Sequence, residues 1–255
     1  MIKETWALFI REVKKTFRNK AVVAMMVVQP IMWLVFFGSS FSHVPSSFLS
    51  SFFNTTNYIA FLLPGELAAS MIFVGMFSSM SMIQDKRFGF LKRILVTKAP
   101  KESIFFGKVF GASTRGLLSI PIMMLVSLAF GVVFHWNLLS LVVWILGLLL
   151  LGVGMASIYS IITMRSNDWQ TPGVVSNLIN LPLMFSSTAL FPSTIFPGWM
   201  RDISSVNPLS FAAGLGRSFV LNTPPNFLFL LYLVIFCFLF LGIGAFLSRE
   251  WLKAE

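Results

Sequence analysis

From Gly116 to Met164 the chain carries no Asp, Glu, Lys or Arg. A helix needs roughly 20 apolar residues to cross a bilayer, so this run holds more than one crossing. The rest of the chain has the same character: 56% of its residues are hydrophobic and 11% charged. Soluble domains carry about 25% charged residues and cannot cover so much apolar surface as they grow. Lipid is therefore the implied solvent, and the implied fold is an all-α integral membrane protein, because a spanning helix satisfies its own backbone.

Six segments have the length and apolarity of a span: 21–41, 57–83, 106–134, 138–163, 172–191 and 226–247. The third and fourth come from the charge-free run, divided where His135, Trp136 and Asn137 supply polar and interfacial groups. The whole of 1–255 reads as one transmembrane domain.

The net charge is +10, and its placement is uneven. Six Lys and Arg precede the first span, and Lys86, Arg87, Lys92, Arg93, Lys98, Lys101 and Lys108 follow the second. Arg165 follows the fourth, and Arg249 and Lys253 follow the sixth. Six spans put all of these on one side and leave Arg201 and Arg217 on the other. Basic loops stay on the cytoplasmic side, so both termini are expected there, in a cell membrane. The charge is a topology signal and a contact with lipid headgroups, not a nucleic-acid footprint.

Residues 2–18 carry Ile2, Trp6, Phe9, Ile10, Val13 and Phe17 at helical spacing, with Lys3, Arg11, Lys14, Lys15 and Arg18 opposite and Leu8 the exception. Such a helix is expected to lie at the inner leaflet. Its apolar continuation is too long for a signal-peptide core. In the loop 84–105, Phe88, Leu91 and Leu95 recur at i, i+3 and i+7 beside Lys92 and Arg93, between Gly89 and Pro100. A short helix with one apolar side suits either a groove on a partner or the headgroup layer.

Two charges fall inside spans, Glu66 in the second and Arg115 in the third. Ionisable groups at such depth face a partner or a water-filled cavity. The two spans are antiparallel neighbours, which allows Glu66 and Arg115 to pair. Cys237 is the single cysteine, and His43 and His135 are the only histidines, so no metal site is expected. A membrane metalloprotease needs His-Glu-x-x-His, which is absent, and a serine protease needs a facing Ser and His. Gly107-Lys108 is followed by Val109 without the upstream glycine of a phosphate loop, so nucleotide is not expected to bind here. No repeated pore motif suggests a channel.

Several motifs then occur in a set order. Gln29-Pro30 and Trp33 lie in the first span, and Phe61-Leu62-Leu63-Pro64-Gly65 open the second. The loop runs from Asp85 to Lys108; Phe191-Pro192, Phe196-Pro197-Gly198-Trp199 and Asn207-Pro208-Leu209 precede the last span. In this order the sequence resembles the permease subunits of ABC-2 type transporters, in the branch of daunorubicin-type drug exporters and nodulation-factor exporters. The resemblance covers almost the whole chain. It implies a dimer of permeases, most simply a homodimer, above two separate cytoplasmic ATPase subunits that hold the ATP and magnesium. It places the coupling helix at Asp85, Arg87, Phe88, Gly89, Leu91, Lys92, Arg93 and Leu95. Lys92 and Arg93 stand where the family often has an acid, which implies an acidic groove on the ATPase. Phe90 stands where a smaller residue is common. The resemblance also implies short re-entrant helices over 192–217, around Pro192, Pro197, Gly198, Trp199, Asn207 and Pro208. Phe196, Trp199 and Met200 are then expected to dip into the outer leaflet. The implied activity is export of a hydrophobic or amphipathic substrate, with a polysaccharide or lipid-linked glycan as the alternative.

Overall fold

The computed structural model describes residues 1–41, 43–97, 99–134, 136–166 and 168–251, and these form an all-helical bundle. His135, Lys98 and Lys253, used above to divide a span and to count charge, lie outside the described residues. In chain order the helices are α1 (Ile2–Arg18), α2 (Lys20–Ser40), α3 (Ser46–Phe53), α4 (Tyr58–Arg87), α5 (Phe90–Leu95), α6 (Lys101–Gly116), α7 (Ser119–Ala129), α8 (Leu138–Arg165), α9 (Thr171–Phe185), α10 (Gly198–Val206), α11 (Pro208–Val220) and α12 (Phe227–Trp251). Among the described residues, five stretches are long and apolar enough to cross a membrane: Val23–Ser40, Tyr58–Arg87, Lys101–Ala129, Leu138–Arg165 and Phe227–Glu250.

Three boundaries differ from the sequence reading, each for a local reason. α4 runs on to Arg87, so Gln84 to Arg87 belong to the last turns of a span and not to a loop. The third span starts at Lys101, with Pro100 as its N-cap, and is broken between α6 and α7. Pro121 explains the break: it has no N–H to offer the Leu117 carbonyl, and its ring crowds that carbonyl. The expected span 172–191 is a helix of 15 residues ending at Phe185. At 1.5 Å per residue it reaches about 22 Å, short of a hydrocarbon core of about 30 Å.

After α9 the chain runs non-helically through the interior, where Ser187, Ala189 and Leu190 are buried. Buried backbone of this kind must find partners. The Thr188 N–H donates to Ser210 Oγ, the Tyr58 hydroxyl donates to the Leu190 carbonyl, and Arg217 donates to the carbonyls of Thr188 and Ala189. The Arg217 guanidinium also lies 3.6 Å from the centre of the Phe61 ring. Asn207 caps α11 by accepting from the Leu209 N–H, while its amide donates to the Leu183 carbonyl; Pro208 takes the first helical position, where no N–H is needed. Two short helices, α10 and α11, precede the last long helix. Trp199 is exposed there, whereas Phe196, expected to dip into the outer leaflet, is buried in the protein.

α4 is the most enclosed of the long helices; it packs on α8, α11, α6 and α2. α2 and α12 stand at the outside of the bundle with most of their surface open.

Candidate functional site

At one end of the bundle, charged residues from three helices converge. Arg11, Glu12 and Lys15 come from α1, Ser81 and Asp85 from α4, and Lys108 and Arg115 from α6. Ser81 and Asp85 are four apart, and Lys108 and Arg115 seven apart, so each pair shares one helix face. α1 runs parallel to α6: Met1 meets Ser103, Leu8 meets Gly107 and Glu12 meets Gly111. The approach depends on glycine. A Cβ on Gly107 would stand 2.6 Å from Leu8 Cβ, and one on Gly111 2.6 Å from Glu12 Cβ. Small residues four apart let two helix backbones close to this distance.

The closeness delivers Glu12 into the interior, where it is 1% exposed. Its carboxylate accepts from Arg115 Nη2 at 2.7 Å, Lys108 Nζ at 3.2 Å and Ser81 Oγ at 2.9 Å. Asp85, 4% exposed, accepts both guanidinium arms of Arg11 at 2.8 Å and also pairs with Lys108 and, at 3.8 Å, Lys15. The forked geometry of Arg on a carboxylate is the strongest form of this contact. Two carboxylates therefore face four cations. Burial acts to raise the Glu12 pKa, but Lys108 and Arg115 outweigh it and hold the group below its usual value. Lys15 is pushed below its usual value by burial, despite Asp85 and Glu12 nearby.

The cluster is joined to the loop between α4 and α6. Arg11 lies 3.5 Å from the centre of the Phe90 ring, in the first turn of α5. Gly89 opens α5 with φ +71, a conformation that side chains with a Cβ resist. At the end of α4, Lys86 Nζ donates to the carbonyls of Thr163 and Ser166, closing the end of α8. Arg87 stacks over Trp169 at 5.9 Å. Arg249 and Lys101 tie the end of α12 to the start of α6. The basic segments that are far apart in sequence thus meet at one end of the molecule.

The loop itself divides in a way its spacing does not show. Leu91 is 5% exposed and packs in an apolar cluster with Met82, Ile104, Phe105 and Met164, with Ile94 and Leu95 partly buried against it. Phe88 is 78% exposed and Val96 80% exposed, and Arg87, Lys92 and Arg93 are exposed in the same segment. The expected triad of Phe88, Leu91 and Leu95 is therefore not one outward face. Phe88 and Val96 point out, while Leu91 anchors the loop inward. Asp85, placed in the partner-facing set by sequence, is instead enclosed in the ion cluster.

One further expectation is corrected. Arg115 pairs with Glu12 and not with Glu66; among the described residues Glu66 has no ion pair, and its Oε2 is buried without a hydrogen-bond partner. The amphipathic α1 turns Leu8, Glu12 and Thr16 toward the protein and leaves Ile2, Trp6 and Phe17 exposed. Leu8, the exception to its stripe, is a packing residue on α6. The spacing Gly107-x-x-x-Gly111 with Lys108 between was the legible trace of this contact.

Comparison with known proteins gives the same reading. The family model described as "ABC-2 type transporter" matches residues 3–221. A transport permease, ycf38, of Cyanophora paradoxa is 31% identical over 82% of this chain and 71% of its own length. The daunorubicin resistance ABC transporter permease protein DrrB1 of Streptomyces coeruleorubidus is 22% identical over 79% of this chain and 68% of its own. Nodulation protein J of Rhizobium meliloti is 25% identical over 66% of this chain and 64% of its own. The helical bundle, the short helices before its last long helix and a family match across most of its length agree: the chain belongs to the ABC-2 type transporter permeases.

Proposed function

We propose that this permease is the membrane subunit of an ATP-driven exporter, working as a homodimer with a separate cytoplasmic ATPase that holds the nucleotide and magnesium. The observation that carries this is a short segment after α4 that exposes Phe88 and Val96 together with Arg87, Lys92 and Arg93. Two large apolar groups in a basic rim have the make-up of a docking surface: apolar anchors supply the energy and rim charges the partner choice. A partner with an acidic groove matches it. The cluster behind the loop explains how a push there would travel. Arg11 holds both Asp85 of α4 and the ring of Phe90, and Glu12 and Lys108 bind α1 to α6. Displacement of α5 would then move α1, α4 and α6 together. The Lys/Arg excess at this end supports a cytoplasmic placement, with α9 and the buried chain through Leu190 together making a sixth crossing, both termini inside and the cargo hydrophobic or amphipathic.

The test is assembly together with sidedness. The purified permease in lipid is expected to capture its ATPase and, alone, to hydrolyse no ATP. Lys14→Cys and Lys92→Cys are expected to react with an impermeant thiol reagent only after cells are opened, and Ser46→Cys in intact cells. Labelling of Lys92→Cys from outside would overturn the placement.

A further inference from the structure

Arg115 turns to Glu12, and a second buried carboxyl is left without a cation. Glu66 is 3% exposed and sits in the first third of α4. Among the described residues it has no ion pair, and its Oε2 is buried without a hydrogen-bond partner. α4 packs on α6 and α11, but the arginines those helices bring are engaged elsewhere. Arg115 holds Glu12, and Arg217 serves the carbonyls of Phe61, Thr188 and Ala189. A carboxylate with no partner inside a span is costly, and such groups mark ion paths and ion sites.

Glu66 faces a small crevice. Glu66, Ser70, Phe73 and Phe77 recur at i, i+4, i+7 and i+11, so they form one stripe of α4. The stripe lines the crevice together with Gln29 and Pro30 of α2 and with Gly116 and Ser119 at the α6–α7 break. Its volume is about 20 Å³, enough for one particle the size of a water. Breaks in spanning helices are where membrane proteins hold small ions.

The chemistry of the lining selects the particle. Ser70 Oγ donates to the Leu67 carbonyl at 2.7 Å, and Ser119 Oγ to the Gly116 carbonyl at 2.6 Å. With those protons committed, both hydroxyls offer only lone pairs to the crevice. The Glu66 carboxylate and the Gln29 amide oxygen are further hard oxygen donors, and Phe73 and Phe77 bring rings, whose faces attract cations. Charge decides the valence. Glu66 is the only ionisable group in the lining, so a monovalent cation makes the site neutral, whereas a divalent one would leave a net positive charge in the span. Magnesium also keeps several waters, for which the volume has no room. We propose that this crevice binds one monovalent alkali cation, held by Glu66 with Ser70, Ser119 and Gln29, and that the ion pins α2 and the start of α7 to α4. The donors come from three helices, so the set is complete only in this packing. The bound ion therefore favours this packing over any in which α2 and α4 part. Binding requires neither ATPase nor cargo.

The experiment uses the full chain in nanodiscs of phosphatidylcholine. Thermal unfolding is followed in chloride salts of sodium, potassium, calcium and N-methylglucamine, at one pH and equal ionic strength. The wild type is expected to melt higher in sodium or potassium than in N-methylglucamine, by an amount that grows with the logarithm of concentration once the site fills. The salt with the larger rise identifies the ion. Glu66→Gln is expected to melt alike in all four salts, and no lower than the wild type in N-methylglucamine, because it removes the lone charge together with the donor. Ser119→Ala keeps the charge and loses one donor; it is expected to need at least about tenfold more salt for the same rise. If Glu66→Gln does not fold, Ser70→Ala is read beside Ser119→Ala, with the same loss expected. The proposal is overturned if the wild type melts alike in alkali salts and N-methylglucamine, or if calcium raises the melting temperature more than sodium and potassium do. It is also overturned if the rise survives Glu66→Gln, or survives both serine variants undiminished.

Discussion

Arg115 donates to the Glu12 carboxylate at 2.7 Å, joining the deepest charge of α6 to a helix that precedes the first span. This contact makes α1 part of the bundle and not an appendage on its surface. A buried pair of this kind is held by its geometry, and removing one member leaves a charge with no partner.

Glu12→Ala and Arg115→Ala are each expected to cost about 3–5 kcal/mol, the usual range for an orphaned buried charge. The double variant is expected to lose less than the sum, since neither member of the pair is then left buried without the other. Thermal unfolding of the purified protein in one detergent, across all four forms, measures this. Additive losses would show that the two side chains act independently.

Gly111→Leu is expected to detach α1. A Cβ there already meets Glu12 Cβ at 2.6 Å, and backbone separation must grow to admit a longer chain. Limited trypsin digestion in nanodiscs reads the change as faster cleavage at Arg11, Lys14 and Lys15. Gly173→Leu, where a Cβ meets nothing within 4 Å, serves as the control and is expected to digest like wild type.

Attachment of α1 is expected to weaken in acid. The folded pKa of Glu12 lies below its usual value of 4.5, so the detached helix takes up the proton first. Its contribution is complete above about pH 4.5 and declines as pH falls through the lower folded value. Hydrogen exchange of the amides in 2–18 at pH 7 and pH 4 measures this, after correction for the intrinsic rate. Glu12→Gln is expected to show weak protection at both pH values. A wild-type protein equally protected at both would contradict the assignment.

The loop offers a separation of roles. Phe88→Ala and Val96→Ala are expected to reduce ATPase capture at least tenfold while leaving the permease melting temperature unchanged, because both side chains are exposed. Leu91→Ala is expected to destabilise the permease itself by about 2–5 kcal/mol, as a core truncation. Lys92→Glu is expected to weaken capture mainly at low salt. Capture unaffected by both Phe88→Ala and Val96→Ala would remove this surface as the docking site.

Arg217→Lys is expected to destabilise the protein nearly as much as Arg217→Ala. The guanidinium serves the carbonyls of Phe61, Thr188 and Ala189 at once, and an ammonium lacks the planar fork that does so. Full recovery of the melting temperature by Lys would show that charge alone suffices.

The sequence by itself determined that lipid surrounds this chain. Charge-free runs of span length leave no other solvent, and the motifs from Gln29 to Leu209 were enough to suggest the family. Periodicity also marked α1 and the apolar spacing of the loop helix, because a helix face is a local property. Which way each face turns is not local. Leu91 and Phe88 have the same spacing signal, yet one is core and the other is exposed, since Gly89 redirects the chain between them. Asp85 read as a loop residue because nothing in its neighbours shows that α4 continues to Arg87. Glu66 and Arg115 were plausible partners by depth, but depth says nothing of rotation about a helix axis. The tertiary structure decided those partners. Glycines at 107 and 111 bring α1 close enough for Glu12 to reach Arg115, and the guanidinium pairs with that carboxylate and not with Glu66 of α4.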